Sequence, residues 1–114
     1  MKEYILFMLF PWKDPDGSGP FYCPDCGIVE GFFAYSPEVR EKIDIRTVHF
    51  EKPRRAVADL LGPENQGCPV LILPAGSAVP EGGKTSLSKG TVFIDDPVAI
   101  CKFLAKTFDA VQPH

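Results

Sequence analysis

The sequence predicts an α/β domain in which helices cover both faces of a mixed four-stranded sheet. Two short apolar runs, residues 4–10 and 68–73, read as strands buried on both faces. Segments with apolar residues at helical spacing alternate with the strands, giving the order β-α-β-α-β-β-α. Such alternation implies parallel pairing through right-handed crossovers, whereas the last two strands, joined without a helix, should pair antiparallel. The 114 residues suit a single domain over 1–114, with no linker, repeat or low-complexity tract.

The first run, Tyr4 to Phe10, follows Lys2 and Glu3. The acid at position 3 and the Pro11-Trp12-Lys13 sequence behind the run argue against a secretory signal. Seven apolar residues also fall far short of the ~20 that span a bilayer. A Pro/Gly-rich loop over 11–22 leads to Cys23-Pro24-Asp25-Cys26. From Pro24 to about Tyr35, Ile28, Val29, Phe32 and Phe33 repeat with helical spacing, and Ser36-Pro37 stops the helix. Gly27 and Gly31 weaken its intrinsic propensity, so packing must hold it.

Residues 43–50 alternate, with Ile43, Ile45 and Thr47 on one side and Asp44, Arg46 and Val48 on the other, as in a half-buried strand. Pro53 suits a first helical position. Val57, Leu60 and Leu61 follow at helical spacing, and Gly62-Pro63 ends that helix. The second apolar run, Cys68 to Leu73, is closed by Pro74. Residues 75–90 are polar and Gly-rich, which predicts a long exposed loop, and Thr91 to Ile94 form a short strand. Asp95-Asp96-Pro97 opens the last helix, whose stripe is Ile100, Phe103, Leu104 and Phe108, with Lys102 and Lys106 facing water.

Twelve Lys and Arg against fifteen Asp and Glu give a net charge of −3, which disfavours nucleic acid as a partner. Nine Phe, three Tyr and one Trp argue equally against disorder. A cytoplasmic location is expected, where thiols stay reduced, and no membrane partner is expected.

Two thiols two residues apart at a helix start are a redox device. With Cys23 capping the helix, Cys26 lies one turn along, within reach of a disulfide. Pro24 at the first helical position loses no hydrogen bond. Unpaired N–H groups and the positive end of the helix dipole favour a thiolate on Cys23. Cys23 then attacks a substrate disulfide, and Cys26 resolves the mixed disulfide. The negative charge of Asp25 opposes the thiolate.

The CPDC motif opening a helix after an apolar strand, together with Cys68-Pro69-Val70 opening a second buried strand, resembles the thioredoxin-like superfamily. The spacing and element order fit its glutaredoxin branch or the N-terminal domain of glutathione transferases, and the resemblance covers nearly the whole chain. It implies Cys23 as nucleophile, Cys26 as resolving thiol and Pro69 as a cis-proline beside them. It also implies that the backbone of Cys68 meets the substrate. In the transferase branch a Glu-Ser pair after the last strand grips glutathione. Asp96-Pro97 takes that place here without the serine, so glutathione enters only as a conceivable co-substrate and no resident cofactor is expected.

Cys68 then joins the other two cysteines in one pocket. It is read as a small buried hydrophobe, with a third redox thiol or a thiolate ligand for metal as alternatives; no second close cysteine pair supports a metal site. Cys101 lies beside the stripe of the last helix and reads as core. His49 ends its strand as a surface histidine, and His114 is terminal. Arg40, Lys42, Arg46, Lys52, Arg54 and Arg55 interleave with acids as a solvated face, with Arg54 and Arg55 as candidates for a substrate carboxylate. Trp12, Phe21 and Tyr22 border the motif and either line a substrate groove or pin the loop. Residues 82–86 (GGKTS) mimic part of a phosphate loop and read as a flexible tip. The functional expectation is a thiol–disulfide oxidoreductase acting on a protein or small-molecule disulfide. Its alternatives are a binding module without turnover, a metal or cluster carrier, and glutathione conjugation.

Overall fold

A computed structural model describes residues 2–114. β1 (Ile5–Leu9) leads through the 11–22 loop into α1 (Pro24–Tyr35) and the short α2 (Pro37–Arg40). β2 (Asp44–Val48), α3 (Arg55–Leu61) and β3 (Val70–Ile72) follow, then β4 (Gly83–Thr85), β5 (Val92–Ile94) and α4 (Pro97–Thr107). The strands form one mixed sheet in the order β2-β1-β3-β5-β4.

Period-two alternation within the strands divides the core in two. Leu6, Met8, Leu71, Leu73 and Ile94 face Val29, Phe32 and Phe33 of α1 and Ile100 and Leu104 of α4. Phe7, Val70, Ile72 and Phe93 face Val57 and Leu61 of α3 on the other side. Helices thus cover both faces, and the apolar runs of β1 and β3 are explained by burial on each. α1 ends where the Ser36 N–H donates to Phe32 O at 3.0 Å and Pro37 begins the next short helix. Asp96 caps α4 by accepting from the Ala99 N–H at 2.8 Å.

The sheet has five strands, not the four the sequence predicts. The added strand, β4, lies within the 75–90 segment that was expected to be an exposed loop. It pairs antiparallel with β5, Lys84 opposite Phe93, and so satisfies an edge that would otherwise present unpaired backbone groups. Gly82, at φ +78°, turns the chain into it. Ser86, 2% exposed, donates its hydroxyl to Leu61 O at 2.6 Å, and Thr91 Oγ1 donates to Leu60 O at 2.8 Å. These bonds tie the β4–β5 hairpin to the C-terminal end of α3. Residues 82–86 are therefore turn, strand and buried anchor rather than a flexible tip.

β1 and β2 pair in parallel, and β3 and β5 antiparallel, as expected. β3, however, runs antiparallel to β1. α3 begins at Arg55 rather than at Pro53, and its 7 residues span only about 10 Å. A helix that short does not carry the chain back along the sheet, so β3 starts near the end where β2 finished. The Lys52–Pro53 bond before it is cis.

Candidate thiol site

The chain leaves β1 and returns to it at a narrow neck. Trp12 N–H donates to Phe21 O at 3.0 Å and Phe21 N–H to Trp12 O at 2.7 Å. Beyond the neck the tip folds on itself, with the Asp14 N–H donating to Ser18 O at 2.9 Å and Gly17 N–H to Asp14 O at 2.8 Å. Ser18 donates its N–H and hydroxyl to Asp16, which holds that exposed carboxyl below its ordinary range. The neck thus sets the path of Phe21 and Tyr22 into Cys23. Trp12 and Phe21 fasten the loop, and the exposed Tyr22 ring rests 3.3 Å from where a Cβ on Gly27 would stand. A Cβ at position 27 would press on that ring and shift it by a few tenths of an ångström.

Cys23 is the N-cap of α1, and its sulfur accepts the Cys26 N–H at 3.1 Å. Pro24 occupies the first helical position. The helix-start geometry expected for CPDC is present, with sulfur replacing the usual capping oxygen. Cys23 Sγ also lies 3.9 Å from the carbonyl oxygen of Cys68, and the Cys68–Pro69 bond is cis. The long segment from 27 to 67 therefore closes on itself at the sulfurs. Cys23 and Cys26 are both buried, at 7% and 6% exposed. Burial, and then the adjoining Cys23, push the Cys26 thiol strongly up. No disulfide joins the four cysteines.

Cys68 is half-buried and touches the cores on both faces of the sheet. Burial pushes its thiol up to about 11, and the neighbouring Arg54 works against that rise. Arg54 corrects one sequence expectation. Five of the six cations between 40 and 55 are exposed, but Arg54 is 8% exposed and lies inside. Its Nε and Nη2 donate to Phe50 O at 2.9 and 2.5 Å, and Nη1 donates to Gln66 O at 2.9 Å. Its guanidinium also sits over the Phe50 ring, 5.3 Å from the centroid. Trp12 stacks on the same ring at 4.2 Å and 12°. A cavity of about 530 Å³ opens beside this stack, and its lining includes Lys13, Asp14, Phe50, Glu51, Lys52 and Arg54. Phe50 and Gln66 carry no motif, and nothing in the sequence marks them as neighbours of the thiols.

The remaining candidates lie elsewhere. Asp96 caps α4 and borders a separate cavity of about 640 Å³ whose lining includes no cysteine. Cys101 is core, as expected, and burial followed by the Asp96 charge pushes its thiol up to about 11. His49 is exposed, with its ring 5.2 Å from that of Phe10. Among the described residues, no group of three His, Cys, Asp or Glu side chains is placed to hold a metal ion. No helix among them is long and apolar enough to cross a membrane.

Comparison with curated proteins and with solved structures finds no match. One family model, described as a protein of unknown function (DUF3088), matches residues 3–112. With that match spanning nearly the whole length around the CPDC helix and the Cys68-Pro69 turn, the chain belongs to the DUF3088 family.

Proposed function

We propose that this chain is a thiol–disulfide oxidoreductase of thioredoxin-like, glutaredoxin-branch architecture, working in a reducing compartment such as the cytoplasm. The observation that carries the reading is the Cys23 sulfur itself: it receives a helix N–H at 3.1 Å and lies against the backbone that precedes a cis-proline. A thiolate at that position gains from the N–H and from the helix dipole. It attacks one sulfur of a substrate disulfide, expelling the other half as a thiolate that takes up a proton. The Cys26 thiol then loses its proton and attacks Cys23, releasing the second half as a thiol. The protein gives up two electrons and two protons, and an external thiol reductant restores its dithiol. The backbone at Cys68 and the Trp12 and Tyr22 rings at the neck offer a polypeptide or small disulfide its contacts. Disulfide reduction by the native chain, lost in Cys23→Ser and slowed in Cys26→Ser, is the expected result. Equal activity in native and Cys23→Ser protein would overturn the reading.

The low exposure of Cys23 favours a second reading, a binding module whose thiols do not turn over. Its signature is a Cys23 that resists alkylators in the folded chain while partner binding survives Cys23→Ser.

A further inference from the structure

We propose that Cys68 is a second resolving thiol for Cys23, positioned by the buried Arg54, so that a Cys23–Cys68 disulfide is a working state of the site. The inference rests on the redox reading above and adds a third sulfur to it.

Three observations converge on Cys68. First, its backbone lies against Cys23, whose sulfur stands 3.9 Å from the Cys68 carbonyl oxygen, and both residues pack in the same apolar cluster. Second, it is more open than Cys26, which is only 6% exposed. Third, Arg54 is buried without a carboxylate partner among the described residues. Three of its N–H groups go to neutral backbone carbonyls, one of them that of Gln66, two residues before Cys68, and its charge works against the rise of the Cys68 thiol. A cation removed from water without an anion is unfavourable, and a thiolate forming at Cys68 supplies that anion. Burial raises both thiols; Arg54 opposes the rise at Cys68, whereas Cys23 adds to it at Cys26.

The step balances within the same chemistry. Once Cys23 holds half of a substrate in a mixed disulfide, the Cys68 thiol gives its proton to water and attacks the Cys23 sulfur. The bond to the substrate sulfur breaks, and the departing thiolate takes up a proton. The chain then carries a Cys23–Cys68 disulfide, which Cys26 exchanges by attacking Cys23 and returning Cys68 to the thiol.

The test uses Cys26→Ser with dithiobis(nitrobenzoate) as the probe disulfide. The expected result is release of two equivalents of the coloured thiol, an intact mass lower by two hydrogens, and a Cys23–Cys68 peptide on mapping. Cys26→Ser/Cys68→Ser should release one equivalent and keep the adduct. In the Cys26→Ser background, Arg54→Met should slow the second release about tenfold, the effect of roughly one unit of thiol acidity. It should also move the pH profile of that step upwards, with Arg54→Lys restoring part of both. A stable adduct on Cys23 in Cys26→Ser overturns the role of Cys68, while native protein that still releases two equivalents leaves the redox reading standing. A native Cys23 that never reacts overturns both. An unchanged pH profile in Arg54→Met overturns the role of the arginine.

Discussion

The Cys26 backbone N–H points at the Cys23 sulfur from 3.1 Å, so the atom that starts α1 is also the candidate nucleophile. Helix capping and sulfur chemistry can therefore be separated by choice of substitution. Serine is a preferred N-cap, whereas alanine offers no acceptor. Cys23→Ser should keep the stability of the native chain within about 1 kcal/mol, and Cys23→Ala should lose roughly 1 kcal/mol more. Urea unfolding of the three proteins checks this. Equal stability of the serine and alanine variants would show that the sulfur is not an effective cap.

Asp25 sits in the first turn of α1 beside Cys23 and is exposed to solvent. Its carboxylate opposes a second negative charge on the sulfur. A like-charge interaction a few ångströms long in water is worth somewhat under 1 kcal/mol. Iodoacetamide should therefore alkylate Cys23 about threefold faster in Asp25→Asn at neutral pH. Salt should narrow the difference, because the pair is exposed. Identical rates in the two proteins would remove Asp25 from the account.

The buried thiols make the fold sensitive to alkali. Burial, with the Asp96 charge second, raises Cys101 from the ordinary thiol value of 9.0 to about 11. The unfolded chain releases this proton first, so stability is complete below about pH 9 and declines as pH rises through about 11. The contribution of Cys101 alone is up to about 3 kcal/mol. Unfolding followed by circular dichroism under a phosphine reductant should show a shallower alkaline decline for Cys101→Ala than for the native chain. Parallel declines would contradict the assignment.

Gly82 and Gly76 have the same handedness of backbone, with φ of +78° and +83°. A Cβ on Gly76 meets open space, but one on Gly82 comes within 2.8 Å of the Ala99 Cβ. Gly76→Ala should cost roughly 1–2 kcal/mol for the backbone alone. Gly82→Ala should cost more, because β4 or the start of α4 must move. Thermal unfolding of both variants compares them directly, and equal losses would show that the contact with Ala99 is easily relieved.

The parts of the fold legible in the sequence are those written in apolar periodicity and caps. β1, α1, β5 and α4 appear where the apolar spacing and the Cys23 and Asp96 caps place them. β4 was not legible, because Gly83-Lys84-Thr85 buries little and its strand state comes from the open edge of β5. The antiparallel course of β3 was hidden because the length of α3 decided it. At the thiol site, CPDC and Cys68-Pro69 mark three sulfurs without further help. Arg54 was obscured by five similar cations around it, and only tertiary packing takes one of them inside. Phe50 and Gln66 hold the Arg54 side chain largely through their carbonyl oxygens, which every residue type possesses, and the Phe50 ring and Gln66 Oε1 meet Arg54 only once the chain has folded.

The reciprocal bonds between Trp12 and Phe21 make residues 13–20 an appendage with a clasp at its root. Loop closure grows only slowly with length, so doubling such a segment adds roughly 0.6 kcal/mol. A fluorophore-bearing or affinity peptide grafted at its tip would ride on the molecule while the clasp holds Cys23 in register. The same construction sets the tip, Asp16 to Ser18, apart from the sulfurs, while Lys13 at its root still lines the cavity beside Arg54.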